Sequence, residues 1–365
     1  MTPDPCEEIT VKALVLAGGT GSRMRPFSHT TAKQLLPVAN EPVLFHVLAS
    51  VALSGVKDVG VVVGTTGDQI REAVGDGSRF GVSVTYVDQR KPLGIGHAVR
   101  ISRGFLGDED FLLFLGDNYL EKGLTDFVSR AVQSGFDANL LVHGARDPSR
   151  FGVAELDGHG GVVRVEEKPA NPRSNLALVG VYALTPAVHE AVRSVPVSSR
   201  GELEITDALQ WMIDRGLTVG TEPVTGAWCD VGGVEDLLDA NRVALGATRR
   251  LLEGDVDSES TVVGPIHVAE GAVVRRSHLY GPAVIGPGAV IDRSTVEGFT
   301  SIGAGCGIRG SRIGSSVVME KACVERVNAL TGSFLGRASV VSGPSTAAGG
   351  HRLVLGDHSS AWLAS

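Results

Sequence analysis

The chain has 365 residues, of which 43% are hydrophobic and 20% charged, and a formal net charge of -8. This length exceeds what one hydrophobic core usually organises, so we expect two folded domains. The acidic balance argues against a general nucleic-acid-binding protein, because such a protein needs a basic surface to displace counterions from the phosphates.

The cysteines and the N-terminal residues favour a cytoplasmic protein. Cys6, Cys229, Cys306 and Cys323 lack the paired spacing of a zinc site or a disulfide framework, so we expect reduced thiols. No apolar run has transmembrane length, and MTPDPCEEIT has neither the positive start nor the apolar stretch of a signal peptide. We therefore expect a cytoplasmic location, no membrane partner, and an N-terminal extension over residues 1–11.

Short aliphatic runs alternate with longer amphipathic runs from residue 12 to residue 246. This alternation predicts an α/β domain with a Rossmann-like, mostly parallel sheet. The predicted strands cover residues 13–16, 59–63, 82–87, 111–115, 139–142 and 177–184, and helices are expected to begin near residues 42, 68, 95, 124, 186, 203 and 234. Ligands bind outside the carboxyl ends of such strands, so one crevice is expected to collect the Gly18 loop, Asp88, Gln89 and Asp117.

From about residue 255 onward, aliphatic residues recur every six positions, which predicts a parallel β-helix over 255–343. The recurring residues are Val262, Val268, Val274, then Val284, Val290, Val296, Ile302, Ile308, then Val318, Val324 and Leu330. The two breaks in phase are equally long and suggest two inserted turns. A Val- and Gly-rich β-sandwich is the alternative, but a sandwich has no reason to keep a six-residue phase. The tail, residues 344–365, leaves the repeat.

The first predicted strand runs into LAGGTGSRMRP, where Gly18, Gly19 and Gly21 precede Arg23, with Lys33 further on. The loop matches neither the Walker A pattern nor the dinucleotide fingerprint. Consecutive glycines still allow backbone N–H groups to converge on an anion, and arginine and lysine can add charged hydrogen bonds to phosphate oxygens. The glycines alone could form a simple turn; the nearby cations favour a phosphate site.

Seven segments together carry a family resemblance. They are LAGGTGSRMRPFSHTTAKQLLPVANEPVLF, QRKPLGIGHA (89–98), FLGDN (114–118), FGVAELD (151–157), VEEKP (165–169), RGELEITD (200–207) and WCDVGG (228–233). In this order they resemble the sugar-1-phosphate nucleotidyltransferases, and KQLLP is most similar to the members that transfer thymidylyl groups. The likeness spans essentially all of the first domain. The appended repeat resembles the long form of these enzymes, with a left-handed β-helix, from aminoglycoside pathways of the streptomycin type.

The resemblance implies an activity. Such enzymes join a sugar 1-phosphate to a nucleoside triphosphate and release pyrophosphate. For this chain the implied substrates are dTTP and glucose 1-phosphate, the implied cofactor is Mg²⁺, and the product dTDP-glucose would lead to dTDP-deoxysugars in antibiotic biosynthesis. The chemistry needs positioning of two anions and neutralisation of charge, rather than an activated side-chain nucleophile.

The resemblance also implies roles for individual residues. The implied catalytic residues are Arg23, Lys33, Asp117 and Lys168, with Arg23 on the leaving pyrophosphate and Lys33 near the reacting phosphates. The implied nucleotide-binding residues are Leu16, Gly18, Gly19, Gly21, Gln34, Gln89 and Gly94. The implied sugar-phosphate-binding residues are Gly152, Glu167, Lys168, Val179 and Arg200. The implied magnesium ligands are Asp117 and Asp230.

Some of these assignments have alternatives on the residues alone. Asp117 suits Mg²⁺ because a carboxylate is a hard oxygen ligand, although Asp-Asn after a strand can also be a turn cap. Arg200 could contact phosphate or simply precede a capped helix. Phe151 stands where a tyrosine is often found, and Val179 replaces a more polar residue, which weakens the case for glucose over a modified hexose.

Three other functions stay open. The first is the same reaction with UTP or another hexose 1-phosphate, because the thymine methyl group contributes little discrimination. The second is acyl transfer by the β-helix, for which His267 and His278 are the available bases. The third is a non-catalytic assembly subunit, which fits the β-helix but leaves the implied catalytic residues unexplained. We expect the β-helix to support assembly into a homo-oligomer.

Overall fold

The computed structural model describes residues 11–344 and 350–363. Contacts divide the described chain into two compact units, one of residues 11–20 and 44–230 and one of residues 21–43 with the described residues from 231 onward. The second unit therefore combines the β-helix with the segment that follows the glycine loop. Cys6, nearly all of the predicted N-terminal extension and part of the predicted tail lie outside the described residues.

The elements up to residue 245 are given in chain order. The strands are β1 (Lys12–Ala17), β2 (Pro37–Val38), β3 (Glu41–Pro42), β4 (Asp58–Val63), β5 (Ser83–Asp88), β6 (Phe111–Leu115), β7 (Asn118–Leu120), β8 (Ala138–Gly144), β9 (Gly152–Leu156), β10 (Val162–Glu167), β11 (Leu176–Leu184), β12 (Val219–Pro223) and β13 (Trp228–Asp230). The helices are α1 (Val43–Leu53), α2 (Gly67–Val74), α3 (Ile95–Ile101), α4 (Arg103–Leu106), α5 (Thr125–Ser134), α6 (Val188–Ser194), α7 (Ile205–Asp214) and α8 (Val234–Leu245).

The predicted α/β pattern of the first part of the chain is confirmed. All six predicted strands are present, and the predicted helices begin within about two residues of their expected positions. Sequence reasoning missed seven strands, among them β9 and β10, which pair with each other. The first three residues of β9 are buried, and in β10 only Val162 and Val165 are buried. Polar side chains interrupt both strands, so neither reads as an aliphatic run. Among the described residues, no helix is long and apolar enough to cross a membrane.

The sheet of the first unit has a parallel part and an antiparallel part. Strands β5, β4, β1 and β6 lie side by side and parallel. β11 joins β6 in the antiparallel direction, and it also pairs with β8 and β9. Leu16 is opposite both Val62 and Leu115, so the parallel strands end at the same edge of the sheet. The polar residues that follow these strands therefore share that edge, as predicted.

Helices α6 and α7 cover this sheet with apolar side chains at helical spacing. Ile205, Leu209 and Met212 of α7 are at most 2% exposed and belong to the same core as Leu14 and Leu113 of the sheet. A buried leucine or isoleucine contributes about 1.5 to 3 kcal/mol relative to an exposed one. This core fixes the strand ends, where the polar residues lie.

The β-helix strands follow in chain order. They are β14 (Leu251–Leu252), β15 (Asp255–Val256), β16 (Thr261–Val263), β17 (Ile266–Val268), β18 (Val273–Arg275), β19 (His278–Tyr280), β20 (Ala283–Ile285), β21 (Val290–Asp292), β22 (Thr295–Val296), β23 (Thr300–Ile302), β24 (Gly307–Arg309), β25 (Arg312–Gly314), β26 (Val317–Val318), β27 (Cys323–Glu325), β28 (Leu330–Thr331), β29 (Phe334–Leu335), β30 (Val340–Ser342), β31 (Val354–Leu355) and β32 (Ser360–Trp362).

These strands form three parallel sheets, which confirms the predicted β-helix. The early coils stack with a step of 17 residues, as from Ser277 to Ser294, whereas the step from Ser301 to Val317 is 16 residues. The two expected inserted turns are wrong: Leu279 and Ile313 point into the core at the two breaks in phase, so one side of the coil is simply shorter. The predicted phase is also off by one at Val284 and Val290, because Ile285 and Ile291 are the core residues. Strands β31 and β32 extend the sheets beyond residue 343.

A column of serines stabilises one corner of the β-helix. The backbone N–H of Ser277 donates to Ser260 Oγ, that of Ser294 to Ser277 Oγ, and that of Ser311 to Ser294 Oγ, at 3.0 to 3.1 Å. Each of the last three hydroxyls also donates to a backbone carbonyl two residues earlier. The hydroxyls thus satisfy corner N–H groups that the sheets leave unpaired.

We predict that Ser294→Ala destabilises the β-helix. Ser294 is 4% exposed, and its loss leaves the buried N–H of Ser311 without an acceptor, which costs about 1 to 3 kcal/mol. Calorimetric Tm values of Ser294→Ala and of Ser258→Ala, which changes an exposed serine, make the comparison. Equal Tm values for the two variants would show that the serine column does not stabilise the coil.

Candidate active site

Gly18 and Gln89 follow neighbouring parts of the sheet edge and lie against each other. A Cβ placed on Gly18 would be 3.5 Å from Gln89 Oε1 and 3.3 Å from the backbone nitrogen of Gly64. The backbone N–H of Gln89 donates to Val63 O at 2.8 Å and so continues the sheet by one residue. Asp88, in contrast, pairs with Arg71 at 2.7 Å. Gln89 is therefore the polar side chain that this edge presents beside the glycine loop.

The amide of Gln89 has one orientation. Its Nε2 lies 3.1 Å from Gly94 O, which can only accept a hydrogen bond, so the atom facing Gly94 is the NH₂ group. The second Nε2 hydrogen points to His97 Nδ1 at 3.0 Å, which must then be the unprotonated ring nitrogen. Burial, together with the nearby Arg100 guanidinium, lowers the pKa of His97 and favours this neutral form. Gln89 Oε1 is left facing Gly18 as an acceptor.

Gly94 is held in a conformation that glycine favours. Its φ is +96°, and a Cβ would lie 2.6 Å from Leu203 O. The backbone of Leu203 also accepts from Gly96 N–H and donates to Leu93 O, each at 2.8 Å. The loop before α3 is thus fastened to the stretch before α7, which fixes the carbonyl that orients Gln89.

Asp117 and Asp230 are brought together by a small antiparallel sheet. Strand β13 pairs with β7, and Asp230 is opposite Asn118, the residue after Asp117. Asn118 is 2% exposed; its Nδ2 donates to Asp117 Oδ1 at 3.3 Å and its Oδ1 accepts from the indole N–H of Trp228 at 2.5 Å. The pairing thereby places Asp230 opposite the residue that follows Asp117, although the two aspartates are far apart in the chain.

This carboxylate pair fits Mg²⁺ better than a metal that needs an all-protein cage. Within the described ranges, no group of three or more His, Cys, Asp or Glu side chains could hold a metal. Mg²⁺ is commonly held by one or two carboxylates, with phosphate and water oxygens as its other ligands. Asp117 and Asp230 supply that donor set, and the remaining ligands would come from a phosphate-bearing substrate.

Gly152, Glu167, Lys168 and Arg200 form a second cluster in the same unit. Glu167 is opposite Gly152 in the pairing of β10 with β9, and Lys168 N–H donates to Phe151 O at 2.9 Å. Arg200 Nη1 donates to Glu167 Oε1 at 2.9 Å, and Lys168 Nζ lies 3.5 Å from the same oxygen. The Arg200 guanidinium thus binds the Glu167 carboxylate, and the two alternatives for Arg200, phosphate contact or a place before a capped helix, stay predictions.

Burial and charge set the character of this cluster. Glu204 is 6% exposed, and burial raises the pKa of its carboxyl group despite a hydrogen bond from Ser198 Oγ at 2.9 Å and the charge of Arg200. Gly152 leaves room for the cluster, since a Cβ there would lie 2.8 Å from Thr206 Cγ2 and 3.3 Å from Glu167 Oε2. Lys168 is exposed at the rim with φ of +44°.

Phe151 and Trp228 connect this cluster with the carboxylate pair. Their rings pack with centroids 5.2 Å apart, while the Trp228 indole donates to Asn118 beside Asp117. The aromatic Phe151 therefore serves as a packing partner here and needs no hydroxyl group for this contact. Trp228 thus contacts residues beside both groups of predicted site residues in the first unit.

Val179 and Gly180 lie at an irregularity in β11, where the register with β8 shifts between Leu178 and Tyr182. Gly180 has φ of +79°, and a Cβ would be 2.4 Å from Leu115 Cδ1 at the end of β6. Val179 is 1% exposed. Such bulges frequently re-aim backbone groups next to a site, so a backbone role for these two residues fits better than a side-chain role for Val179.

The second unit contains Arg23 and Lys33, the two cations that the sequence predicts beside the glycine loop. Gly21 has φ of +62°, and a Cβ would meet Lys33 Cβ at 2.9 Å and Ser28 Cβ at 3.2 Å, so Gly21 packs directly against Lys33. Arg23 lies in a short 3₁₀ helix, Ser22–Met24, and its guanidinium is against Gly232, where a Cβ would be 3.0 Å away. The glycine of WCDVGG thus leaves space for the arginine of the first motif.

Lys33 and Gln34 are buried side by side in a second 3₁₀ helix, Lys33–Leu35. Lys33 is 7% exposed and Gln34 is 1% exposed. Gln34 Oε1 is buried with no hydrogen-bond partner among the described residues. An unsatisfied buried carbonyl costs about 1 to 3 kcal/mol, so this oxygen suits a ligand donor. Leu16 and Gly19, by contrast, are half-buried and exposed at the start of the loop.

Sequence reasoning missed two residues that act through others. His97 fixes the Gln89 amide, and Asn118 holds Asp117 and Trp228 in place. The signal for His97 was present in QRKPLGIGHA, because a histidine one turn into a helix can reach back to the loop before it. The signal for Asn118 required knowing that β13 pairs with β7, which local pattern cannot supply.

Comparisons with known proteins give similarities of the chain in sequence and in fold. A family model described as nucleotidyl transferase matches residues 12–246. A Streptomyces griseus protein named glucose-1-phosphate thymidylyltransferase is 48% identical over 355 residues, covering 97% of this chain and 100% of that protein. A Streptomyces antibioticus protein of the same name is 47% identical over 351 residues, covering 96% and 98% of the two chains.

A solved structure adds a comparison of folds. It is a Bacillus anthracis protein assigned as a glucose-1-phosphate thymidylyltransferase and crystallised with sucrose. It is 34% identical with a TM-score of 0.60, and it covers 64% of this chain and 95% of its own. This relative therefore matches only part of the present chain, whereas the two Streptomyces proteins match nearly all of it.

We predict that Gly94→Ala destabilises the first unit by about 1 to 3 kcal/mol, because the left-handed backbone and the contact with Leu203 O both disfavour a Cβ. Gly104→Ala is the matched control: its Cβ meets nothing within 4 Å and it lies within α4. Thermal unfolding should show a lower Tm for Gly94→Ala and an equal or higher Tm for Gly104→Ala. A Gly94→Ala protein as stable as the parent would contradict the assignment.

Proposed function

Since the chain belongs to the nucleotidyl transferase family, we propose that it transfers the thymidylyl group of dTTP to glucose 1-phosphate, giving dTDP-glucose and pyrophosphate. The match with the two Streptomyces relatives over nearly their full length carries this proposal. In the reaction, a phosphate oxygen of glucose 1-phosphate forms a bond to the α-phosphorus of dTTP. The bond from that phosphorus to the β-phosphate oxygen breaks, and pyrophosphate leaves with the electron pair.

The residues of the chain can be given roles in this reaction. Asp117 and Asp230 would hold Mg²⁺, which when bound neutralises phosphate charge and aligns the reacting groups. Glu167 is positioned by Arg200 and accepts from sugar hydroxyls, while Lys168 meets the sugar phosphate. The glycine loop and the cations Arg23 and Lys33 bind the triphosphate. No side-chain nucleophile is needed, because the sugar phosphate oxygen is itself the nucleophile.

Base recognition would rest on Gln89 and Gly94. A pyrimidine imide offers an N3–H donor, and Gln89 Oε1 is an acceptor whose amide is already oriented by Gly94 O and His97 Nδ1. Gln34 Oε1, buried and without a partner in the described part of the chain, supplies a further acceptor for a donor of the nucleotide. The homo-oligomer and the use of the product for deoxysugars stay predictions from the resemblance.

We predict that Asp117→Asn lowers kcat with dTTP, glucose 1-phosphate and Mg²⁺ by about 100-fold or more, because one of the two carboxylates that would hold Mg²⁺ at the reacting phosphates is lost. Pyrophosphate release measures the rate, and Asp239→Asn, which changes an exposed carboxylate on α8, is the control.

The same assay with UTP should give a kcat/KM about 10- to 200-fold lower than with dTTP. A parent protein that forms no pyrophosphate from either nucleotide would refute the proposal, and near-normal turnover by Asp117→Asn would refute the metal assignment.

We also predict that His97→Leu raises KM for dTTP roughly fivefold and leaves KM for glucose 1-phosphate unchanged. The leucine removes the hydrogen bond that orients the Gln89 amide, and a fivefold change corresponds to about one such bond. His97→Gln keeps an acceptor at this position and should restore most of the affinity. Because His97 has a lowered pKa, it accepts at neutral pH and loses this ability only when protonated in acid. KM for dTTP should therefore rise at acidic pH in the parent more than in His97→Gln. Equal profiles for these two proteins would exclude the orienting role.

A further inference from the structure

The outward residues of three neighbouring strands in one β-helix sheet are buried, whereas outward residues elsewhere on the β-helix are exposed. In the sheet containing β23, β26 and β29, core residues alternate with Ser301, Val317 and Phe334, and all three outward residues are 0% exposed. Val263 and Tyr280, on another sheet, are 50% and 43% exposed. Another segment of the chain therefore covers this part of the β-helix surface.

Part of the cover is the segment that carries Lys33. Phe27 and Phe334 are both 0% exposed and their ring centroids are 4.4 Å apart. On the other side of Lys33, the Asn40 side chain donates to Ile302 O at 2.7 Å. The segment is thus attached to the β-helix both before and after the lysine.

Two charged residues of the last coils, Arg337 and Asp357, bind the two threonines that shortly precede Lys33. Arg337 Nη1 donates to Thr31 Oγ1 at 2.9 Å, and Thr31 is 2% exposed. Thr30 Oγ1 donates to Asp357 Oδ2 at 2.7 Å, while Asp357 Oδ1 accepts from the backbone N–H of Arg337 at 2.7 Å. Arg337 is itself held by Glu320 at 2.9 Å. Charged hydrogen bonds of this kind are stronger than neutral ones.

These contacts connect residues at opposite ends of the chain. Thr31 and Arg337 are separated by 306 positions, and Thr30 and Asp357 by 327. Thr31 precedes Lys33 by two residues, and Lys33 packs against Gly21 of the glycine loop. A shift of the threonines would therefore move the lysine and the loop together.

We propose that Arg337 and Asp357 are positioning residues for nucleotidyl transfer: through Thr31 and Thr30, the last coils of the β-helix fix the segment that carries Lys33. The inference rests on the proposed function. It gives the β-helix a part in the reaction, because a misplacement of a phosphate-binding group by about 1 Å can cost 100-fold in rate.

The test compares Thr31→Val, Arg337→Met and Asp357→Asn with Arg309→Met. Arg309 forms a comparable surface pair with Glu325 at 3.0 Å in the same β-helix, so its loss controls for the removal of a salt bridge. We expect kcat to fall about tenfold or more in the three variants, with KM for glucose 1-phosphate unchanged, because its proposed ligands lie in the first unit. Thr31→Ser, which keeps the hydroxyl group, should restore kcat.

A readout independent of activity is amide hydrogen exchange of residues 27–36. Exchange there should be faster in Arg337→Met and Asp357→Asn than in the parent or in Arg309→Met. The double variant Thr31→Val, Arg337→Met should lose no more kcat than the worse single variant, since both remove one interaction.

The outcomes separate the inference from the proposed function. If kcat and exchange in all three variants equal those of Arg309→Met, the anchoring role is wrong while the enzyme activity stands. If the parent makes no dTDP-glucose but the exchange differences appear, the anchoring is supported and the proposed function fails.

Discussion

Repulsion between the two negatively charged substrates of the proposed reaction is the constraint that the arrangement of the site must meet. Asp117 directly precedes β7, and Asp230 is opposite Asn118 in the neighbouring strand β13, so two carboxylates are available for one cation. The proposed reaction adds two more anions, a triphosphate and a sugar phosphate, which must approach each other. The fold meets this constraint with fixed positions rather than with reactive side chains. Asn118 holds Asp117, Arg200 holds Glu167, and Gly94 with His97 holds Gln89.

The functional residues divide between the two units. The first unit contains the carboxylate pair, the Glu167 cluster and the base-recognition residues, all attached to strands or to loops fastened to them. The second unit contains Arg23, Lys33 and Gln34, which lie on a segment attached to the β-helix. The β-helix therefore contacts a segment that carries predicted site residues. The sequence predicts this segment to bind phosphate, and substitutions in the last coils of the β-helix are expected to change the rate of the proposed reaction.

The sequence predicts features that depend on local pattern. Aliphatic runs such as FLLFL and the helical spacing of Ile205, Leu209 and Met212 locate the elements of the first unit, and six-residue recurrence identifies the β-helix. Features that depend on distant pairing were not predictable in this way. The antiparallel strands β9 and β10 carry polar residues and so lack an aliphatic run. One side of each coil is shorter, which shifts the six-residue recurrence at Val284. No sequence pattern predicts the contact between Thr31 and Arg337.

The carboxylate pair offers the most direct test of the account. Crystals grown with Mn²⁺ and a non-hydrolysable dTTP analogue allow the metal to be located by its anomalous signal. The account predicts one strong peak within coordination distance of both Asp117 and Asp230, with phosphate oxygens as further ligands. A peak that contacts neither carboxylate, with the nucleotide fully bound, would contradict it.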